Sequence, residues 1–194
     1  MNSLAQLPGD DEVAAAAPAG FPDAEEIDLL GRVGLFSSDD ARALRKVWRV
    51  LQDRTDDYLD MVLGMVAAYP ALAAALTVLR DDNPEDPTGS AGTTRQLFRR
   101  WLSETCLSPR EPPWLKRLYA ELPLAPAAQS FLARLPGFRY LIALSFPLVA
   151  AARVPLAAGG LAAHDIERMQ TALLKAILLQ VALLSKLYVR EGSW

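Results

Sequence analysis

One histidine, His164, and one cysteine, Cys106, stand in a chain of 194 residues. No intrachain disulfide can form, and this usage predicts a reducing compartment, the cytoplasm. A single imidazole and a single thiol put two-His metal sites, Cys/His zinc clusters and triads that need a second imidazole out of reach. Positive charge is not in excess, since 20 Lys and Arg stand against 23 Asp and Glu for a net charge of −3. Without a basic surplus to pair with phosphates, nucleic acid is not an expected partner. Long hydrophobic runs are missing too. The longest, Leu141 to Ala152, lies between Arg139 and Arg153 and falls short of the roughly 20 residues a spanning helix needs. It reads as a buried helix, and no membrane partner is expected. The opening MNSLAQLPGDDEV has no positive n-region and turns acidic where a signal peptide is apolar, which predicts no export. No phosphate loop and no nucleophile with a nearby base are present, so the chain is not expected to be an enzyme.

What is present is helical patterning. Residues 1–22 are rich in Ala, Gly, Pro and acids and read as a flexible tail that cannot repay the entropy of ordering. Residues 23–194 read as one domain, of a size that buries about 70% of the unfolded chain's surface. A short helix over Asp23 to Arg32 is expected to end near Gly31 and Gly34. Ser37 or Ser38 is a good N-cap, with Asp39 and Asp40 in the favoured first turn, and Leu44, Val47, Trp48 and Leu51 repeat on one face. Further helices are expected over Arg54 to Ala68, Ala71 to Leu79 after Pro70, Ser90 to Leu107, a segment opened by Pro112 and Pro113, Pro136 to Ala152, and His164 to Tyr188. Pro147 inside the Pro136 to Ala152 helix should kink it. The stretch RDDNPEDPTGS reads as a solvated surface loop, and its carboxylate spacing does not match a calcium loop. No period-2 alternation or hairpin dipeptide occurs, so the fold class is all-α.

The last helix is apolar over most of its circumference. Met169, Leu173, Ile177, Val181, Leu184 and Tyr188 form one stripe, and Leu174, Leu178, Ala182 and Leu183 carry the apolar surface around the side. Such a helix is either central to its own domain or shared with a partner. The first reading is a homodimer with Leu174, Leu178 and Ala182 in the interface, and the second is a fully buried helix in a monomer.

Four separated blocks, FSSDDARALRKVWRVLQD, FRRWLSETC, PGFRYLIALSFPLV and LLKAILLQVALLSKLYVREG, resemble the protoglobin family, the single-domain relatives of globin-coupled sensor domains. The resemblance covers residues 23–194. It implies a globin fold with an extra N-terminal helix, Z, and a homodimer through helices G and H. The family binds haem. Its axial histidine follows a Trp-Leu and Tyr set kept here as Trp114, Leu115 and Tyr119, and the matching position is Ala125. Its distal Trp-Tyr pair is matched by Val62 and Leu63, and its helix E phenylalanine is retained as Phe98. With Phe146, these residues are the expected wall of a vestigial haem pocket.

A shift of up to three residues around Ala125 meets only Leu122, Pro123, Leu124, Pro126, Ala127 or Ala128, none with a side-chain lone pair. Glu121 is not of a usual axial type, and Tyr119 lies about 240° round an ideal helix from Ala125. Cys106 reads as a small buried hydrophobe, and His164 as an exposed first-turn or loop residue. Arg95 and Arg99 share a face and could meet an anion such as a propionate, though a solvated face is the better reading. The expected function is a haem-free, dimeric regulatory or interaction module, with an apolar small ligand or an unidentified protein as its partner. The alternative is a haem protein binding oxygen or another diatomic gas through an unusual axial ligand.

Overall fold

In a computed structural model, which describes residues 21–68, 90–121 and 138–187, the chain is all-α, with no strand among the described residues. The helices are α1 (Ala24–Val33), α2 (Ser38–Leu51), α3 (Thr55–Ala67), α4 (Ser90–Leu107), α5 (Pro112–Glu121), α6 (Phe138–Ala151), α7 (Arg153–Ala158) and α8 (Ala163–Ser185), and one 3-10 turn, Gln52–Arg54, leads into α3. The expected helix at Ala71 to Leu79 and the loop RDDNPEDPTGS lie outside the described residues, apart from Ser90, which opens α4. The short helix α7 was not expected. It starts at Arg153, with only Ala152 between it and the end of α6, where the sequence gives a charge and Pro155 but no glycine to mark a stop.

Asp23 caps α1 by accepting the Glu26 N–H at 2.8 Å. The helix ends at Val33 with Gly34 as its C-cap, near the glycines as expected. The Phe36 N–H bonds to the Gly31 carbonyl and the Leu35 N–H to that of Arg32, a Schellman closure whose left-handed position is normally glycine. Here it is Leu35, at φ 53°, and the strain of about 1–2 kcal/mol for a side-chain-bearing residue is held in place by Lys175, whose ammonium donates to the Leu35 carbonyl at 2.8 Å. Gly31 serves close approach instead. A Cβ there would meet the Arg110 guanidinium at 3.2 Å, and Arg110 pairs with Asp28 at 2.8 Å, so α1 is pinned to the turn between α4 and α5.

Ser37 caps α2 in a capping box. Its Oγ accepts the Asp40 N–H at 3.2 Å while the Asp40 carboxylate accepts the Ser37 N–H at 2.7 Å. Lys175 of α8 pairs with the same carboxylate at 3.0 Å, so one half-buried cluster joins α1, α2 and α8. Burial alone raises the Asp40 pKa, but the bonds from Ser37 and Lys175 outweigh it and hold the carboxyl below its ordinary value.

The core lies where α8 meets α2 and α6, with α4 against α2 and α3 against α4 and α6. Leu44, Val47 and Leu51 of α2 are buried as the spacing predicts, and Trp48 is half-buried at the edge. In α8, Met169, Leu173, Ile177, Val181, Leu183 and Leu184 are buried, Leu174 and Ala182 are half-buried and Leu178 is 46% exposed; Tyr188 lies outside the described residues. Helix α6 runs on through Pro147. Two carbonyls near its end are held by side chains of other helices: the Tyr58 hydroxyl of α3 donates to the Leu148 carbonyl at 2.5 Å, and the Gln170 amide of α8 to that of Val149 at 3.0 Å.

The Asp40 cluster predicts an acid-dependent loss of stability. A carboxyl whose folded pKa is depressed contributes above its unfolded value and loses that contribution as pH falls through the folded one. Asp40→Ala is therefore expected to cost about 1–2 kcal/mol at pH 7. In urea titrations of both proteins, the difference should shrink at pH 3 and below.

Candidate functional site

Residues expected to wall a pocket come from α3, α4 and α6, and the fold does not bring them all together. Val62 is 2% exposed, one turn after Tyr58 on α3, and the Phe98 ring, fully buried, stands 5.4 Å from that of Tyr58. Phe98 in turn lies 5.5 Å from Trp101. Leu63 is half-buried at the core margin. Ala125 lies outside the described residues. Phe146 is corrected: it is 73% exposed and faces away from the interior. The inward face of α6 is made by Leu141, Leu144, Ser145 and Leu148, and because that helix is apolar nearly all round, sequence spacing alone could not tell which side turns in.

The groups with lone pairs are committed elsewhere. Cys106 is fully buried at the end of α4, and desolvation pushes its thiol well above the ordinary range, so it stays neutral. His164 is the second residue of α8, its side chain 74% exposed and 3.5 Å from the Asp165 carboxylate. Tyr58 is buried with its hydroxyl given to Leu148, and burial, with the Cys106 thiol nearby, raises its pKa far above normal. Tyr119 of α5 packs edge-on against Phe21 at 5.5 Å, and burial raises its pKa, with Glu26 adding to the rise and Lys186 opposing it. A haem needs an axial ligand to fix its iron, and the imidazole, thiol and phenols in these positions do not fit that need. Among the described residues no three His, Cys, Asp or Glu side chains converge as a metal site requires.

Arg95 and Arg99, weighed as anion partners, are engaged by carboxylates of α3. Arg95 lies 2.9 Å from Asp60 and 3.9 Å from Asp56, and Arg99 lies 3.8 Å from Asp56. These pairs are exposed and each contributes under about 1 kcal/mol, yet they take up the positive charge a propionate would use.

A polar chain that sequence reading missed crosses the core. The Trp101 indole N–H donates to Gln180 Oε1 at 2.9 Å, and the Gln180 amide donates to Thr105 Oγ1 at 3.0 Å. Its signal was the lone glutamine in the uncharged span of α8. Two hollows bounded by described residues open at the surface. An open cleft of about 380 Å³ is lined by Asp39, Asp40, Ala43, His164, Glu167 and Arg168, and a smaller one of about 130 Å³ adjoins it. With both signs of charge in the cleft and its neighbour, no single ligand charge is selected.

Two stretches, Phe138–Ala158 and Ala163–Ser185, are long and apolar enough to cross a membrane by length and composition. The first extends the dozen-residue run across Arg139 on one side and Arg153 on the other. About half of each is buried within the fold, as core helices are. Neither the models of known protein families nor the curated proteins compared with this chain gave a match.

The buried neutral thiol is expected to be inert. Native protein at pH 8 should leave Cys106 unmodified by an aromatic disulfide reagent over minutes, with one equivalent reacting at once in denaturant; rapid reaction of the folded protein would contradict this burial.

Proposed function

We propose that this chain is a protoglobin-like, globin-fold domain that carries no axially ligated haem and works as a dimeric regulatory or interaction module in the cytoplasm. In this reading α1 is helix Z, α2 to α5 are A, B, E and F, α6 with α7 is G, and α8 is H. The observation that carries it is the want of an iron ligand. The axial position is Ala125, flanked by aliphatic residues only, and the histidine, thiol and phenols of the described residues are exposed, buried neutral or already bonded. Buried Val62 and Phe98 leave the retained wall apolar, suited to a small apolar ligand or to closure by side chains.

The dimer is supported by what α6 and α8 leave uncovered. Ile142 and Phe146, one turn apart, are 51% and 73% exposed, and Leu178 is 46% exposed with Leu174 and Ala182 half-buried beside it on α8. Because α6 packs on α8, a second copy of the chain is the occupant this reading assigns to those faces.

Two measurements test the proposal. Protein expressed with added haem should show no stoichiometric Soret band, while Ala125→His, with Leu63→Tyr if needed, should restore partial binding. A sharp Soret band with a resolved ferrous–CO shift in the unmodified protein would favour the haem reading instead. Separately, sedimentation at micromolar concentration should give dimers, and Leu178→Asp should weaken them at least about tenfold; a monomeric unmodified protein would refute the interface.

A further inference from the structure

Among the described residues, two buried side-chain polar atoms have no hydrogen-bond partner: Nε1 of Trp114 and Oε2 of Glu104. They are complementary, since an indole nitrogen only donates and a carboxylate oxygen only accepts. Both belong to the corner where α4 turns into α5. Arg117, one turn beyond Trp114 on α5, donates to the other oxygen of Glu104 at 2.8 Å, and Trp114 itself is 4% exposed. Leaving both atoms unpaired would oppose folding, and native proteins satisfy such groups with protein atoms or with ordered water.

We infer that one ordered water molecule occupies this corner, accepting the Trp114 indole N–H and donating to Glu104 Oε2. Buried waters typically make about three bonds, and these two side-chain atoms supply two of them. The water is a structural ligand that sets the angle between α4 and α5, independent of any haem or dimer.

The test is water-to-protein magnetisation transfer on nitrogen-labelled protein. The Trp114 indole proton, assigned through Trp114→Phe, should show a cross-peak of long-lived water, while the Trp101 indole, bonded directly to Gln180, should not. Glu104→Ala should abolish the Trp114 peak with the Trp101 resonance unmoved. A missing peak in the unmodified protein, or one that survives Glu104→Ala, overturns the proposal. If Glu104→Ala fails to fold, a crystal structure of the unmodified protein decides. Density within about 3 Å of both atoms supports the bridge, and a direct Nε1 to Oε2 contact or an empty corner overturns it.

Discussion

Gln180 sits in the middle of the most apolar span of α8, and both ends of its amide are satisfied inside the core, one by Trp101 and one by Thr105. An unbonded amide there would oppose folding, so α8 can neither rotate nor slide against α4 without losing both bonds. Nonpolar contacts are tolerant of small shifts, and this pair is not. Helices α2 and α6 then pack on the flanks of α8, and the Lys175 to Asp40 contact ties the same helix to the start of α2. One amide thus fixes the rotation of the helix that the others are built around.

Legibility followed the kind of force involved. Helix boundaries set by local chemistry were readable: Ser37 as a cap, Asp40 in its first turn, and the start of α4 at Ser90. The inward faces of α2 and α8 were readable because apolar spacing reports burial. Three features were not. Leu35 takes a left-handed turn that propensity assigns to glycine, because a lysine from a helix 140 residues away holds its carbonyl. Phe146 belongs to a helix whose composition does not distinguish its sides. The Tyr58 to Leu148 bond joins residues 90 apart, a separation that no local pattern records. In the expected pocket wall, Val62, Phe98 and Phe146 all rest on resemblance; the first two are buried and Phe146 is exposed.

Burial keeps the thiol and the Tyr58 phenol neutral, the imidazole sits at a helix start in solvent, and Arg95 and Arg99 face carboxylates across α3 and α4. In the proposed reading, recognition rests on the uncovered apolar side chains of α6 and α8, Ile142, Phe146 and Leu178.

Pro147 adds a constraint on that surface. Lacking an amide hydrogen, it cannot serve the carbonyl of Ala143, four residues earlier, and Ala143 is exposed between Ile142 and Phe146. The exposed apolar stretch at Ile142 and Phe146 therefore contains a carbonyl that its own helix does not serve. A molecule that seals this patch must bring a hydrogen of its own to that oxygen or trap solvent beside it, so recognition there is selective in a way that oiliness alone would not be.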